Sequence, residues 1–319
     1  MSLTRDIADY PEGIVLPVDK PYRWTSADVI RKLKFAAIKH FGKKNLKVGH
    51  AGTLDPLATG VLLVCIGNAC KRAQELQDHD KEYIATIRFG ATTPSYDLEK
   101  DVDRTFPYAH ITEDAVRSVL PQFLGEQEQI APLFSAKSVD GVRAYELARK
   151  MYKRSLVAGT SSVIPGNLPD FDATALETLH RSRITISQLE LLSFRDALQV
   201  DSQESVPPTA HKWEGPIADG RDEDQRSEVS GESPTAGTAS SASSASSRIN
   251  VADTSALGLP EAVIRIACSK GTYIRAFARD LGEALGSGAH LAALVRSRSG
   301  SYSLADSLSL EQALFLLTP

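Results

Sequence analysis

A low-complexity stretch between two strand-like segments constrains the fold most. Residues 199–250 are rich in Ser, Ala, Gly, Pro and Thr, contain few large apolar side chains, and show neither strand-like nor helix-like hydrophobic periodicity. Such a composition cannot bury enough apolar surface to offset the entropy of ordering. The flanking segments, 183–194 and 262–269, have the composition of strands. We therefore expect one domain with a disordered insertion at 199–254, whose deletion leaves function nearly unchanged.

The insertion also hides the charge of the rest of the chain. It contains ten acidic and four basic residues, which gives it a net charge of −6, whereas the whole chain has −4. Within the remainder, residues 20–50 contain nine Lys or Arg and one acidic residue, Asp28. This local charge of +8 is typical of a surface that contacts phosphate groups. The same cluster of basic residues is equally compatible with a solvated helix face that binds nothing.

Composition excludes several other classes of protein. The 319 residues are 42% hydrophobic, which is enough for a substantial core. No apolar run is long enough to cross a membrane, and the N-terminus lacks the apolar region of a signal peptide. Cys65, Cys70 and Cys268 are too few for a disulfide framework or a Cys-rich zinc site. We expect a cytoplasmic protein with no membrane partner.

The remaining sequence alternates short strands and helices without the regularity of a parallel βαβ fold, which predicts an α+β fold around one sheet. Further strands are predicted at 13–18, 60–66 and 83–89. Helices are predicted after Thr25 or Ser26, at 115–123, at 144–149 and within 271–285. The predicted domain comprises 13–198 and 255–302, with an N-terminal tail at 1–12 and a short C-terminal tail at 303–319.

The segment GHAGTLDPLATG, residues 49–60, is the densest polar cluster in an apolar setting. Gly49 and Gly52 allow close approach or a positive φ, and Pro56 stiffens the chain after Asp55. An aspartate on such a loop suits a nucleophile or a lone general base. An Asx turn, in which the aspartate bonds its own backbone, fits the same residues. The loop lacks the Lys-Ser/Thr ending of a P-loop.

Five segments resemble motifs of the TruB family of pseudouridine synthases, in the family's order. VGHAGTLDPLATGVLLVCIG resembles its catalytic motif and GIVLPVDKPYRWTSADVI its N-terminal motif. KEYIATIRFGATTPSYD resembles the family's tyrosine motif, and PLFSAKSVDGVRAYELAR resembles the segment that follows it. The arginine motif is matched by CSKGTYIRAFARDLGEALGSGAHLAALVRSRSG. The resemblance implies a pseudouridine synthase fold, with a mixed, mainly antiparallel central sheet flanked by helices and loops.

The resemblance implies an isomerase that converts a uridine in RNA to pseudouridine. Bacterial members act on the T-loop uridine of tRNA, at tRNA position 55. Asp55 matches the catalytic aspartate, which attacks the target nucleotide at its ribose or its base; the resemblance leaves that choice open. No cofactor and no metal are implied. The implied partner is the T-arm of tRNA, without a guide RNA or a protein partner.

Three residues match positions that contact the target nucleotide in the family. Tyr83 matches the tyrosine that packs on the target base, and Leu294 an apolar residue that packs on the flipped ring. His50 matches the histidine that fills the space left when the uridine is extracted from its stack. Each of the three also has an ordinary structural interpretation. Tyr83 would be a half-buried strand tyrosine, Leu294 a core leucine and His50 a histidine hydrogen-bonded within its loop.

Three further residues match supporting positions. Arg275 matches the arginine that pairs with the catalytic aspartate, and without the resemblance it would be one of many surface arginines. Lys20 matches the lysine of the DKP element, which supports the site or contacts phosphate. Tyr273 is expected to be a neighbour of the site, with core packing as the equal alternative.

The chain departs from the family pattern in several places. The usual double proline is Pro132-Leu133, the S-A-x-K element is the segment SAKS at 135–138, and the tyrosine motif ends in TPSYD at 93–97 with Lys100 in place of a glycine. Only 17 residues follow Tyr302, too few for the RNA-binding PUA domain of many members. We therefore expect the basic segment 20–50 to hold much of the substrate. The alternative function is a tRNA-binding or tRNA-folding module with weak or lost synthase activity.

Overall fold

The computed structural model describes residues 3–132, 134, 181–198, 249 and 251–318, and the backbone of residues 138–139 and 142–143. All of them belong to one compact unit formed by Met1–Leu198 and Ala245–Pro319. The predicted helix at 144–149, the predicted disorder of 199–248 and most of the SAKS segment lie outside the described residues.

Strands and helices alternate along the described chain. The strands are β1 (Ile14–Lys20), β2 (Val48–Ala51), β3 (Ala58–Ile66), β4 (Lys81–Phe89), β5 (Ala91–Thr92), β6 (Arg104–Thr105), β7 (Gly125–Ile130), β8 (Ser138–Val139), β9 (Val142–Arg143), β10 (Arg181–Arg195), β11 (Glu261–Cys268), β12 (Ala289–Ser299), β13 (Tyr302–Ser303) and β14 (Leu308–Ser309). The helices are α1 (Ser26–Phe41), α2 (Ala73–Asp78), α3 (Glu113–Val119), α4 (Ile274–Ala284) and α5 (Leu310–Leu316), with short 3-10 helices at Ile7–Asp9, Gly67–Arg72, Leu120–Phe123 and Ser255–Leu257.

Ten of the described strands form the central sheet. Its order is β14-β1-β3-β12-β4-β11-β10-β7, with β2 beside β3 and β13 beside β12. The β1–β14 and β3–β12 pairs are parallel, and the other pairs in this sheet are antiparallel. The prediction of an α+β fold with a mixed, mainly antiparallel sheet is confirmed.

Helix α1 shows how the sequence separates a core face from a basic face. Thr25 caps it: its hydroxyl accepts from the Asp28 amide, and the Asp28 carboxylate bonds back to the Thr25 backbone. Leu33, Ala37 and Phe41 are buried in the core, as their helical spacing predicts. The exposed positions between them carry Lys34, Phe35 and Lys39, so the basic side of α1 faces solvent.

The C-terminal segment differs from the expected tail. Ser309 caps α5 through a reciprocal pair of bonds with Gln312, and Leu310, Ala313 and Leu317 are buried at helical spacing. Leu308 in β14 pairs with Val18 in β1. Residues 303–318 therefore belong to the folded unit, because their apolar positions form one core-facing stripe.

The folded chain also resumes earlier than the expected boundary at residue 255. Ala252 is buried, and its amide donates to the Leu98 carbonyl at 2.7 Å. The Thr254 hydroxyl accepts from Arg88 Nη1 at 2.7 Å and lies 3.2 Å from His290 Nε2. Ala252 and Thr254, both before residue 255, therefore hold the chain against the folded unit.

Strand β12 is central to the sheet but has no counterpart among the predicted strands. Its pairing with β4 shifts register between Leu291 and Ala293 and again between Arg296 and Arg298. These irregularities interrupt the alternation of inward and outward side chains that identifies a strand in sequence.

No helix in the described part of the chain is both long and apolar enough to span a bilayer.

Candidate active site

The loop between β2 and β3 holds Asp55 in a fixed position. The Leu54 amide donates to the Ser26 hydroxyl at 3.0 Å, and that hydroxyl donates to the Leu54 carbonyl at 3.2 Å. The Pro56 carbonyl accepts from the Arg23 amide at 3.0 Å. The loop is thus anchored on both sides of Asp55, whose side chain remains 37% exposed.

Arg275, in the first turn of α4, binds the Asp55 carboxylate with two nitrogens. Nε lies 2.9 Å from Oδ2, and Nη2 lies 3.2 Å from Oδ1. The guanidinium also donates to the carbonyls of Ser95 and Phe134, at 3.2 and 3.0 Å. Burial opposes its charge, but Asp55 and Asp97 together raise the pKa of Arg275 above its ordinary value. The Asp55 carboxylate therefore faces a permanent cation that belongs to an element 220 residues away.

Asp97 is a second carboxylate at the same guanidinium, and the sequence analysis did not select it. Its Oδ2 lies 3.6 Å from Arg275 Nε, while Oδ1 accepts from the Ser95 hydroxyl at 2.6 Å and the Glu99 amide at 2.9 Å. Burial raises the pKa of Asp97, and the charge of Arg275 partly opposes that effect. One arginine thus connects a partly exposed carboxylate with a buried one.

A small cavity lies beside the two carboxylates. It encloses about 240 Å³ of unfilled space that includes open solvent. Asp55 and Asp97 supply its polar wall, and its apolar wall consists of Leu57, Ala58, Leu291, Ala292, Ala293 and Leu294. The register shift of β12 falls within this apolar wall. The site therefore places an accessible carboxylate beside an apolar wall.

Lys20, at the end of β1, is a buried cation beneath the Asp55 loop. Its ammonium donates to the carbonyls of Trp24, Pro21 and Pro56, at 2.6, 3.0 and 3.2 Å. Burial lowers the pKa of Lys20 to about 8, although the charge of Asp55 opposes that shift. Because Pro56 follows Asp55 directly, Lys20 fixes the backbone of the carboxylate loop.

Arg296, in β12, is a second buried cation at this loop and was also missed in the sequence. Its Nε donates to the Val61 carbonyl at 2.7 Å and its Nη2 to the Gly52 carbonyl at 3.2 Å, with a longer contact of 3.5 Å from Nη1 to the Thr53 carbonyl. Its backbone lies so close to Gly60 that a Cβ there would be 2.3 Å from the Arg296 carbonyl oxygen. Arg296 thus connects β12 to both ends of the Asp55 loop.

The remaining predicted residues surround the site without lining the cavity beside Asp55. Tyr83 is buried in β4 opposite Arg296, and burial raises the pKa of its hydroxyl. His50 lies in β2, and burial together with Arg296 lowers its pKa. The Tyr273 amide donates to Gln129 Oε1 at 2.8 Å immediately before α4 begins. Lys20, Tyr83, His50 and Tyr273 are therefore supports around the Asp55–Arg275 pair, whereas Leu294 lines the cavity itself.

The described residues contain no cluster of three or more His, Cys, Asp or Glu side chains arranged to hold a metal ion. In this part of the chain Arg275 pairs with the Asp55 carboxylate, and the buried Lys20 and Arg296 bind backbone carbonyls of its loop.

Two family models match separate stretches of the chain. One described as "TruB family pseudouridylate synthase (N terminal domain)" matches residues 39–172, and one described as "tRNA pseudouridylate synthase B C-terminal domain" matches residues 275–316.

Individual proteins are similar over nearly the whole chain. The chain is 40% identical over 303 residues to tRNA pseudouridine synthase B of Phocaeicola vulgatus, covering 95% of this chain and 92% of that protein. It is 35% identical over 303 residues to the protein of that name from Flavobacterium johnsoniae, covering 95% of both. The one from Deinococcus radiodurans is 34% identical over 298 residues, which cover 93% of this chain and 77% of that protein.

Two solved structures share the fold at low sequence identity. An H/ACA RNP bound to a substrate RNA containing 2'-deoxyuridine matches with a TM-score of 0.50 at 18% identity, covering 98% of this chain and 57% of that one. A Cbf5-Nop10-Gar1 complex matches with a TM-score of 0.52 at 20% identity, covering 97% of this chain and 56% of that one. The chain thus spans little more than half of either structure's chain. Together with the family models, these matches confirm the predicted fold.

Proposed function

This chain belongs to the TruB family of pseudouridylate synthases, and from that premise we propose that it converts the T-loop uridine of tRNA, at tRNA position 55, to pseudouridine. The relatives named tRNA pseudouridine synthase B support tRNA as the substrate. The observation that carries the proposal is the pair formed by the accessible Asp55 carboxylate and the buried Arg275 guanidinium, at a cavity with one apolar wall.

Asp55 acts as the nucleophile in this proposal. The net reaction breaks the bond between uracil N1 and ribose C1', forms a bond between C5 and C1', releases the C5 proton and leaves a proton on N1. No oxidant or reductant is needed, because reactant and product are isomers. A carboxylate suits the task since it can form a covalent adduct with the nucleotide and leave again. Whether the adduct forms at the ribose or the base stays open.

Arg275 orients the nucleophile. A bidentate guanidinium fixes both oxygens of Asp55, which restricts the carboxylate to one direction of attack. The same cation stabilises the negative charge that returns to the carboxylate when the adduct breaks down. The carbonyls of Ser95 and Phe134 hold the Nη atoms of the guanidinium and keep Arg275 from following Asp55 toward the substrate.

The residues around this pair receive the base. Extracting a stacked uridine costs about a few kcal/mol, which contacts in the site must offset. Leu294 supplies apolar contact for the ring, and the buried Tyr83 supports the site from β4. Because its pKa is lowered, His50 is neutral near pH 7, and it occupies the space that the uridine leaves in the RNA. Lys20 and Tyr273 support the Asp55 loop and the start of α4.

Release of tritium from tRNA transcript labelled at uridine C5 tests the proposal. We expect release by the wild-type protein and none by Asp55→Asn, with unchanged tRNA binding by both. Asp114→Asn, at an exposed position in α3, is the matched control and should release tritium at the wild-type rate. A transcript with cytidine at tRNA position 55 tests the position, since it should yield no product there.

Binding without release by the wild-type protein would contradict the proposal and support the alternative, a tRNA-binding or tRNA-folding module. The cytoplasmic location, the independence from guide RNA and protein partners, and the absence of a cofactor or metal remain predictions.

A further inference from the structure

A second, larger cleft lies where α1 is followed by the turn into β2. It has a volume of about 490 Å³ and is lined by Lys34, Lys44, Asn45, Leu46, Lys47, Val48, Gly49 and Cys70. Three of these eight residues are lysines, and all three are exposed. No Asp or Glu of the described chain lines the cleft. It is therefore a concave surface with positive charge only.

The three lysines differ from Arg31 and Lys32, whose charged groups are engaged within the protein. Arg31 pairs with Asp28 at 2.8 Å, and the Lys32 ammonium lies 5.2 Å from the centre of the Trp24 ring. No ion pair with a described carboxylate engages Lys34, Lys44 or Lys47. Like charges held around one cleft repel one another, so an anion bound there relieves that repulsion.

The cleft is continuous with the candidate active site along the chain. Gly49 lines it from within β2, and the same strand leads into the loop that holds Asp55. Asp55 is six positions after Gly49, so their Cα atoms are at most about 22 Å apart. One RNA stem-loop can therefore reach both places at once.

We propose that Lys34, Lys44 and Lys47 form a phosphate-binding cleft that holds the backbone of the substrate RNA while the target nucleotide occupies the cavity beside Asp55. The inference rests on the proposed function for the presence of RNA at this site. Lysines act as point charges that bind phosphates without reading sequence. An acidic peptide is disfavoured, since it would need an anchoring apolar contact and Leu46, the leucine at the cleft, is buried.

Matched pairs of substitutions test the cleft against general charge. The variant Lys44→Gln/Lys47→Gln removes two charges from the cleft. The control Lys39→Gln/Lys43→Gln removes two charges from exposed lysines of the same basic segment that do not line it. The dissociation constant of an unmodified tRNA transcript is measured for both variants and the wild type between 50 and 300 mM salt.

The proposal predicts a loss specific to the cleft variant. Its affinity at about 150 mM salt should fall roughly 5- to 20-fold, corresponding to about two- to fivefold for each lysine. The slope of log affinity against log salt should become shallower by about 0.7–0.9 for each lost phosphate contact. The control should change much less in both quantities. The tritium-release rate at saturating tRNA should match that of the wild type, because the cleft does not touch the reacting atoms.

Two results would overturn the proposal: equal losses in the two variants, or an unchanged affinity and slope in the cleft variant. Because affinity and slope are measured without turnover, they remain informative if the protein binds tRNA but releases no tritium. Such an outcome would defeat the proposed function and leave the cleft supported. Thermal unfolding of each variant confirms that the exposed substitutions preserve the fold.

Discussion

Arg275 and Asp55 share a bidentate contact in which one partner is buried and the other accessible. The arginine side chain is 5% exposed and the aspartate 37%. The carbonyls of Ser95 and Phe134 fix the guanidinium independently of Asp55. The direction of the carboxylate is therefore set from within the protein, while its outer side remains open to a substrate.

Arg275→Lys should separate charge from geometry at this contact. A lysine keeps the positive charge but cannot bind both carboxylate oxygens in a planar fork. We expect kcat to fall by about 100-fold or more, because misplacement of a reacting group by about 1 Å has an effect of that size, whereas tRNA affinity should change less than about threefold. Arg279→Lys, one turn further along α4, is the control. A kcat for Arg275→Lys equal to that of the wild type would refute the orienting role.

Lys20 should make the free energy of unfolding depend on alkaline pH. Its pKa is about 8 in the folded protein and 10.5 in the unfolded chain. Between these values the unfolded state binds more protons, so the free energy of unfolding rises with pH. From about pH 7.5 to 10.5 the wild type should gain roughly 3 kcal/mol relative to Lys20→Met.

Urea unfolding of both proteins at several pH values measures this difference, and comparison with Lys20→Met removes contributions from other groups. Lys39→Met, at an exposed position in α1, should follow the wild type. A wild-type minus Lys20→Met difference that stays constant across the range would show that Lys20 keeps its proton in the folded state.

Arg296→Lys should impair catalysis beyond its effect on stability. A lysine cannot reach the Val61 and Gly52 carbonyls together, and an unpaired buried carbonyl costs about 1–3 kcal/mol. We expect the free energy of unfolding to fall by that amount. We also expect kcat to fall about tenfold or more at temperatures where the variant is fully folded, because the Asp55 loop loses its connection to β12. Arg298→Lys, at an exposed position in the same strand, should leave both quantities near their wild-type values.

Two deletions should locate the true end of the insertion. Replacing residues 199–248 with a Gly/Ser linker should leave kcat and the unfolding midpoint near the wild-type values, because that composition predicts no ordered contacts. Deleting 199–254 removes Thr254 and its bonds to Arg88 and His290, which should cost about 1–3 kcal/mol. Differential scanning calorimetry compares the two. Equal stability of the deletions would mean that residues 249–254 contribute nothing to the fold.

The family motifs identified Asp55 and Arg275 in the sequence. The residues around Asp55 alone did not determine the role of its carboxylate. An Asx turn and a nucleophile require the same residues, and the structure argues against the Asx turn, because the described hydrogen bonds of the carboxylate come from Arg275. That contact depends on the packing of α4 against the sheet, which no short window of sequence contains.

Asp97 and Arg296 were missed for different physical reasons. Asp97 ends the segment TPSYD, where Ser95 and Pro94 make an ordinary turn an adequate interpretation. Arg296 lies between Val295 and Ser297 in β12, a strand whose register shifts conceal its alternation. A buried arginine bound by backbone carbonyls leaves no pattern in sequence, because its partners can be any residue type.

The wide separation of Asp55 and Arg275 along the chain also sets when the site can form during synthesis. A ribosome adding about 5–20 residues per second needs about 10–45 s to translate the 220 residues between them. Throughout that interval the carboxylate loop has emerged without its guanidinium, and the parallel partner of β3 in the sheet is also missing. The Asp55–Arg275 pair therefore cannot form until the C-terminal part of the chain has been made.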